Sequence, residues 1–229
     1  MPEISPSTSS RFVRACLGQP VDRTPVWFLR QAGRYMPEYM AIRKHHSLLE
    51  ICRTPDIAAE VTITAAERLG VDAAIIFADL LLPLTPMGLD FEFVNGEGPV
   101  VHSPIRTLEQ VQALRTDRAD DLRYVSEAIA KVAKHFAAPR AENVRGLETQ
   151  DRLGIIGFLG APFTLASYMI EGSGSRNYIE AKKLMYSTSG AWQLLMEKLI
   201  TLLIEYAAQQ VAAGADVIQV FDSWAGALS

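Results

Sequence analysis

The hydrophobic positions of the chain alternate between short apolar runs and longer segments with one apolar face. Four apolar runs predict buried strands, at residues 25–29, 73–77, 155–159 and 216–221. Helices are predicted where apolar residues recur every three to four positions, at residues 55–69, 107–115, 119–137 and 190–213. A further helix is predicted to open at Pro162. Near-continuous apolar strands that alternate with helices are typical of a parallel sheet covered on both faces.

Two of these segments repeat one pattern. Residues 70–79 and 214–223 each contain a helix-ending glycine, an acid two positions later, an apolar strand and a polar residue nine positions after the glycine. Repeated units of this kind suit an α/β fold of the (β/α)8 TIM-barrel type, in which the carboxyl ends of the strands carry the chemistry. Asn95-Gly96 between two short apolar segments also predicts a small hairpin over residues 89–101.

The composition is that of an ordinary globular chain. Of 229 residues, 49% are apolar and 21% are charged, which excludes a disordered chain. No run of about 18 apolar residues predicts a membrane span, and the N-terminus has no apolar signal region. Cys16 and Cys52 fit no metal or redox spacing, so we expect a reduced, cytoplasmic protein. Residues 1–10 predict a flexible tail before a folded domain over residues 11–229, with a polar, linker-like stretch at 139–152.

The charge is unevenly distributed. The net charge of -4 argues against a nucleic-acid partner, yet residues 1–53 carry eight basic and four acidic side chains. A basic segment within an acidic protein suggests a small anionic ligand. A solvated basic helix face explains the same excess.

Two candidate sites come from residue types and spacing. Arg30 and Arg34 are four residues apart, which on a helical turn would aim both guanidiniums the same way to bind carboxylates. Gly33 between them leaves room for a ligand near the backbone. Asp79 lies between apolar runs, where a carboxylate is costly to bury without partners. A surface arginine pair and a helix N-cap are the structural alternatives.

Several common site patterns are missing. The four histidines form no metal-binding pattern, no GxGxxG follows a strand, and the Gly/Ser loop at residues 171–175 lacks the lysine of a P-loop. Ser223 has no Gly-x-Ser-x-Gly context, which argues against a hydrolase nucleophile. We therefore predict neither a metal nor a nucleotide cofactor.

Four segments together resemble the uroporphyrinogen decarboxylase family. The first is Arg-Gln-Ala-Gly-Arg-Tyr-Met-Pro-Glu-Tyr at residues 30–39, and the others lie at residues 77–84, 160–172 and 221–226. They occur in the family's order, and the similarity covers nearly the whole chain from about Arg11.

The resemblance implies that uroporphyrinogen III loses CO₂ from its four acetate side chains to give coproporphyrinogen III, without a metal or organic cofactor. It implies a homodimer with a small-molecule substrate and no membrane or nucleic-acid partner. Asp79 would be the catalytic residue, because a carboxylate facing the pyrrole N–H groups stabilises the protonated pyrrole. The substrate-binding residues implied are Arg30, Gln31, Ala32, Gly33, Arg34, Tyr39, Asp79, Tyr168 and Ser223.

The sequence departs from the family in its number of strands. The family is an eight-stranded barrel, whereas four strands are predicted here, so we expect an incomplete barrel that lacks a C-terminal histidine of the substrate pocket. Its strand edges and cleft would then be open to water. Three interpretations remain: the N-terminal part of a decarboxylase, an inactive fragment that at most binds porphyrinogen or other chains, and a related corrinoid or zinc methyltransferase. Residues 30–35 and the absent zinc ligands count against the last.

Overall fold

The computed structural model describes residues 10–94, 96–137 and 151–228. Its helices are α1 (Arg11–Cys16), α2 (Pro37–Arg43), α3 (Leu48–Arg53), α4 (Pro55–Leu69), α5 (Leu84–Met87), α6 (Leu108–Ala113), α7 (Arg123–His135), α8 (Pro162–Glu171), α9 (Ile179–Ser187) and α10 (Ser189–Ala212). Its strands are β1 (Ala73–Ile75), β2 (Phe91–Val94), β3 (Gly98–Val101), β4 (Gly154–Gly160) and β5 (Val217–Phe221). The protein therefore has a mixed α/β fold.

The chain divides into two compact units that interleave along the sequence. The first unit comprises Met1–Asp79, Arg123–Phe158 and Gln209–Gln219. The second comprises Leu80–Leu122, Leu159–Ala208 and Val220–Ser229. Strands β4 and β5 and helix α10 each contribute residues to both units.

Strands β1, β4 and β5 form a three-stranded sheet of order β1-β4-β5, most of which lies in the first unit. Strand β1 pairs in parallel with β4, and Ala73 lies opposite Gly154. Every residue of β4 is buried, as a strand covered on both faces requires. Gln210 is also buried, and its side-chain amide bonds both backbone groups of Phe158. The strands predicted at 155–159 and 216–221 are confirmed, whereas β1 ends two residues before the predicted Phe77.

The prediction of a buried strand at residues 25–29 is wrong. The structure forms no strand there, and Phe28 and Leu29 are 48% and 60% exposed. One acceptor and one donor of β1 are bonded instead by the side-chain amide of Gln31. This amide donates to the Ala73 carbonyl at 2.7 Å and accepts a hydrogen bond from the Ile75 N–H. A glutamine side chain therefore takes the place of a neighbouring strand, so the described sheet has three strands and not four.

Two matching clamps join consecutive segments at the beginning of this sheet. In the first clamp, Asp72 accepts two hydrogen bonds from Arg23 and one, at 2.8 Å, from the Val26 N–H. In the second clamp, Asp216 accepts the same three bonds from Arg152 and the Ile155 N–H. Each aspartate N–H in turn donates at 2.8 Å to the carbonyl of that same residue, Val26 or Ile155. The repeat seen in the sequence thus corresponds to a repeated set of hydrogen bonds, in which an aspartate joins its own segment to an earlier one.

Helices α4 and α7 pack together in the first unit. The predicted helix over residues 55–69 is confirmed at both ends, and Gly70 ends it with a φ of 61°, in the left-handed region that favours glycine. The predicted helix at 119–137 consists of a 3₁₀ turn at Ala119–Leu122 followed by α7. The predicted linker at 139–152 and the predicted tail at 1–10 lie almost entirely outside the described residues.

The second unit contains the predicted hairpin, helices α5, α6, α8 and α9, and most of α10. Strands β2 and β3 pair antiparallel, with Phe91 opposite Val101, and Asn95 between them lies outside the described residues. Helices α6, α8 and α10 confirm the predicted ones within one or two residues. Helix α9 was not predicted, because its residues follow a Gly/Ser loop and show no strong apolar period.

Candidate active site

The segment that carries Arg30 and Arg34 is anchored through Gln31. Gln31 is only 2% exposed, and its amide makes the two hydrogen bonds to β1. Its carbonyl accepts a hydrogen bond from the Tyr35 hydroxyl, and Gly33 accepts one from the Met36 N–H. The segment is therefore a turn and not a helix, since α2 begins only at Pro37. The helical spacing imagined for the arginine pair is not present.

An apolar cluster lies beneath this turn. It consists of Met36, Tyr39, Ile51, Val61 and Ala65, with Ala32, Ile42, Ile57 and Phe77 packed against it. The Tyr39 and Phe77 rings lie 5.4 Å apart at a tilt of 51°. Burial raises the pKa of the Tyr39 phenol, and the Arg43 charge only partly opposes that rise. The Tyr39 ring is thus buried in this cluster, and its contact with a substrate stays a prediction.

Arg30 and Arg34 are both exposed, and neither guanidinium has a hydrogen-bond or ion-pair partner within the described part of the chain. The arginines that precede them are different. Arg11 and Arg23 both bond the largely buried carboxylate of Asp72, and Arg14 bonds Asp151. The basic excess of the N-terminal segment therefore includes cations that stabilise the fold, while Arg30 and Arg34 remain available to an anion.

Asp79 lies four residues beyond β1 and is half-buried. The chain leading to it is held by buried Thr62, whose hydroxyl accepts a 2.9 Å hydrogen bond from the Phe77 N–H and donates to the Ala58 carbonyl. Burial, followed by the charge of Asp79, raises the pKa of Cys52, which therefore stays a neutral thiol.

The second unit brings Tyr168 and Ser223 to neighbouring elements. Tyr168 lies on α8, which begins at Pro162 directly after β4, and Ser223 lies in the turn after β5. The Tyr168 ring is 6.0 Å from the Trp224 ring, and Trp224 is 5.6 Å from Tyr178. Thr164, buried on α8, bonds both Asp222 and the Trp224 N–H. These aromatic and threonine contacts were not anticipated from the sequence.

The predicted site residues therefore form two groups. Arg30, Gln31, Ala32, Gly33, Arg34, Tyr39 and Asp79 belong to the first unit, while Tyr168 and Ser223 belong to the second. Gly33 is tightly placed, since a Cβ there would lie 3.1 Å from the Tyr35 ring. Among the described residues, no three His, Cys, Asp or Glu side chains gather where a metal could be held.

Comparison with known proteins identifies the family. The family model described as uroporphyrinogen decarboxylase (URO-D) matches residues 7–229. The chain belongs to the uroporphyrinogen decarboxylase family. Curated proteins with that name are 63% identical over 96% of this chain in Koribacter versatilis and 52% identical over 98% in Solibacter usitatus. These matches cover 59% and 61% of the two relatives, so this chain spans about three fifths of their length.

A solved methyltransferase from Methanosarcina mazei has the same fold as this member of the uroporphyrinogen decarboxylase family. Its TM-score is 0.67 over 93% of this chain and 58% of its own, at 23% sequence identity. The superposition establishes a shared fold, and the low identity carries no shared reaction. Over the described residues, no helix combines the length and the apolar character needed to traverse a bilayer.

Proposed function

We propose that the protein decarboxylates the four acetate side chains of uroporphyrinogen III to give coproporphyrinogen III. The observation that carries this proposal is the Arg30–Tyr39 turn, which the Gln31 amide fastens to β1, the strand that leads to Asp79. This arrangement supplies two exposed, unbonded cations and one half-buried carboxylate within one compact unit. A substrate rich in carboxylates and pyrrole N–H groups needs both kinds of partner.

In each decarboxylation, the bond between the acetate methylene and its carboxylate breaks and CO₂ leaves. The electron pair enters the protonated pyrrole and leaves a neutral ring with an exocyclic methylene. An arginine, or water held by one, then donates a proton to the methylene carbon, and the ring loses the proton it first gained, so one proton is consumed for each CO₂ released. Asp79 accepts hydrogen bonds from pyrrole N–H groups and stabilises the positive charge while it develops, an effect worth about 3–4 kcal/mol for a key contact. Arg30 and Arg34 bind substrate carboxylates, for which a guanidinium fork is better suited than an ammonium group.

The remaining assignments follow from this function. Ala32 and Gly33 shape the turn, while Gln31 and Tyr39 fix it, and Tyr168 and Ser223 supply polar contacts to substrate. The parallel β1-β4-β5 sheet is then the first part of a (β/α)8 barrel within one domain over residues 11–229, and the protein acts in the cytoplasm as a homodimer without a cofactor. The nearly complete burial of β4 supports a sheet with helices on both faces.

The proposal is tested by incubating the purified protein with uroporphyrinogen III under anaerobic conditions and separating the products by their number of carboxyl groups. Wild type is expected to yield seven-, six-, five- and finally four-carboxyl products. Asp79→Asn keeps the shape of the side chain but removes its charge, so we expect turnover to fall at least a hundredfold with an unchanged circular dichroism spectrum.

Binding is measured alongside turnover, by quenching of tryptophan fluorescence with coproporphyrin III. Arg30→Gln and Arg34→Gln should each weaken binding about tenfold, the effect of losing one charge-assisted contact. Full turnover by Asp79→Asn, or a wild-type protein that neither binds the porphyrin nor releases CO₂, would overturn the proposal.

A further inference from the structure

A single buried hydroxyl holds both neighbours of Ser223. Thr164, on α8, is fully buried, and its hydroxyl donates a 2.8 Å hydrogen bond to the carboxylate of Asp222. The same oxygen accepts a hydrogen bond from the Trp224 N–H at 3.3 Å. Just before this turn, the Ala161 N–H donates to the Phe221 carbonyl at 2.8 Å. The backbone on either side of Ser223 is therefore tied to the first turn of α8.

The same helix turn also orients Tyr168. Thr164 and Tyr168 are four residues apart on α8 and lie on one face of it. The backbone N–H of Trp224 donates to the threonine, and the Trp224 ring lies 6.0 Å from the ring of Tyr168. One hydroxyl thus links the turn that carries Ser223 to the helix that carries Tyr168.

An aromatic support completes this arrangement. Tyr178 packs 5.6 Å from Trp224 and 6.3 Å from Phe163 and is only 6% exposed. Its backbone has a φ of 52°, a left-handed conformation that is strained for a side chain other than glycine. The Ser175 hydroxyl accepts a hydrogen bond from the backbone N–H of Tyr178. Such a conformation persists where surrounding contacts hold the residue, and here the Tyr178 ring packs against both Trp224 and Phe163.

We infer that Thr164 is a positioning residue, which sets the distance and orientation between Ser223 and Tyr168 by tying the 221–224 turn to α8. Its catalytic consequence rests on the proposed decarboxylation, in which both residues contact substrate, but the tie itself does not. Thr164 touches no reacting atom in this scheme. It acts through the two residues that flank Ser223.

The first test measures hydrogen exchange by mass spectrometry. Thr164→Val keeps the volume of the side chain and removes both hydrogen bonds, so peptides covering residues 221–226 should exchange about tenfold faster. Peptides from α4 and β4 should be unchanged. Thr164→Ser retains the hydroxyl and should restore the wild-type rate.

Ser167→Ala is the matched control. Ser167 lies three residues away on the same helix and is equally buried, but its hydroxyl donates only to the Phe163 carbonyl of its own helix. Its loss should leave the exchange of residues 221–226 unchanged. Wild-type exchange at residues 221–226 in Thr164→Val, or an equal acceleration throughout the protein, would overturn the inference.

A second test separates substrate affinity from chemistry. With uroporphyrinogen III, Thr164→Val should raise KM about tenfold and leave kcat within threefold, because Ser223 and Tyr168 are displaced while Asp79 is not. Thr164→Ser should restore KM. A KM equal to that of wild type despite faster exchange would contradict the catalytic part. If wild type shows no turnover at all, the proposed function fails and hydrogen exchange alone decides the positioning role.

Discussion

Arginine side chains have two different environments within the first 40 residues. Arg23 bonds Asp72, whose side chain is only 8% exposed, whereas Arg34 is exposed and bonds none of the described residues. The sequence shows the same residue type in both places. Only the partner distinguishes them, and Asp72 lies 49 residues away from Arg23.

The same substitution at these two arginines should therefore affect different properties, stability at Arg23 and binding at Arg34. Arg23→Gln leaves Asp72 with fewer partners in a buried place, so we expect a loss of about 2 kcal/mol in the free energy of unfolding. Arg34→Gln should change that free energy by less than about 0.5 kcal/mol and weaken porphyrin binding instead. Urea unfolding and fluorescence titration of both variants check this. Equal effects of the two variants on stability would contradict the assignment.

The predictability of the site also differs from residue to residue. The sequence motif singled out the segment Arg30–Tyr39. Within that segment, Met36 and Tyr39 are buried in one apolar cluster. The role of Gln31 was not predictable, because a glutamine side chain that replaces a strand leaves no periodic pattern. Thr164 was missed for a similar reason, since its two partners lie about 60 residues away.

At the scale of elements, apolar runs predicted β4 and β5 well and failed at residues 25–29. Strand β4 is buried on both faces, so hydrophobicity alone reveals it. The failed segment is equally apolar, but Pro25 has no N–H to donate, and only Val26 pairs with the residue before β1. Backbone pairing, which the sequence does not display, decided the outcome.

The first clamp predicts a dependence of stability on pH. Burial alone would raise the pKa of Asp72, but hydrogen bonds from Arg23, Val26 and Arg11 outweigh it and lower that pKa. A carboxyl whose pKa is lower in the folded than in the unfolded state stabilises the fold fully above the unfolded value, near 4. That contribution is lost as the pH falls from about 4 through the folded pKa.

The measurement compares wild type with Asp72→Asn by urea unfolding at several pH values. At pH 7 the variant should be about 2 kcal/mol less stable, and the difference should shrink steadily below about pH 4. His135→Gln serves as a control for the loss of a charged pair elsewhere, because the exposed pair of His135 with Glu67 lies in a different part of the unit. A difference between wild type and Asp72→Asn that stays constant down to pH 2 would contradict the assigned role.

At the scale of the whole molecule, the two units are not consecutive pieces of sequence. The chain passes from one unit to the other five times, and β4, β5 and α10 are each continuous across a passage. Neither unit can be obtained as one uninterrupted fragment. Because single helices and strands serve both, we expect the units to unfold together.

Tryptophan fluorescence can test this cooperativity, because Trp27 lies in the first unit and Trp192 and Trp224 lie in the second. Two variants are needed, one retaining only Trp27 and the other only Trp224. Each variant's fluorescence transition in urea should coincide with its own transition by far-ultraviolet circular dichroism. Fluorescence midpoints that deviate from the circular dichroism midpoints in opposite directions would show that the units unfold separately.

The paired clamps also have a consequence for reading other chains. In both, an aspartate two residues after a left-handed glycine is bonded to an arginine and to the N–H three residues beyond that arginine. The two spacings are fixed, while the sequence separating arginine and aspartate ranges from 49 to 64 residues. A Gly-x-Asp that pairs with an upstream Arg-x-x before an apolar run therefore identifies two segments that are neighbours in the fold. In a longer relative, we expect the same paired pattern to give the order of segments along the sheet from the sequence alone.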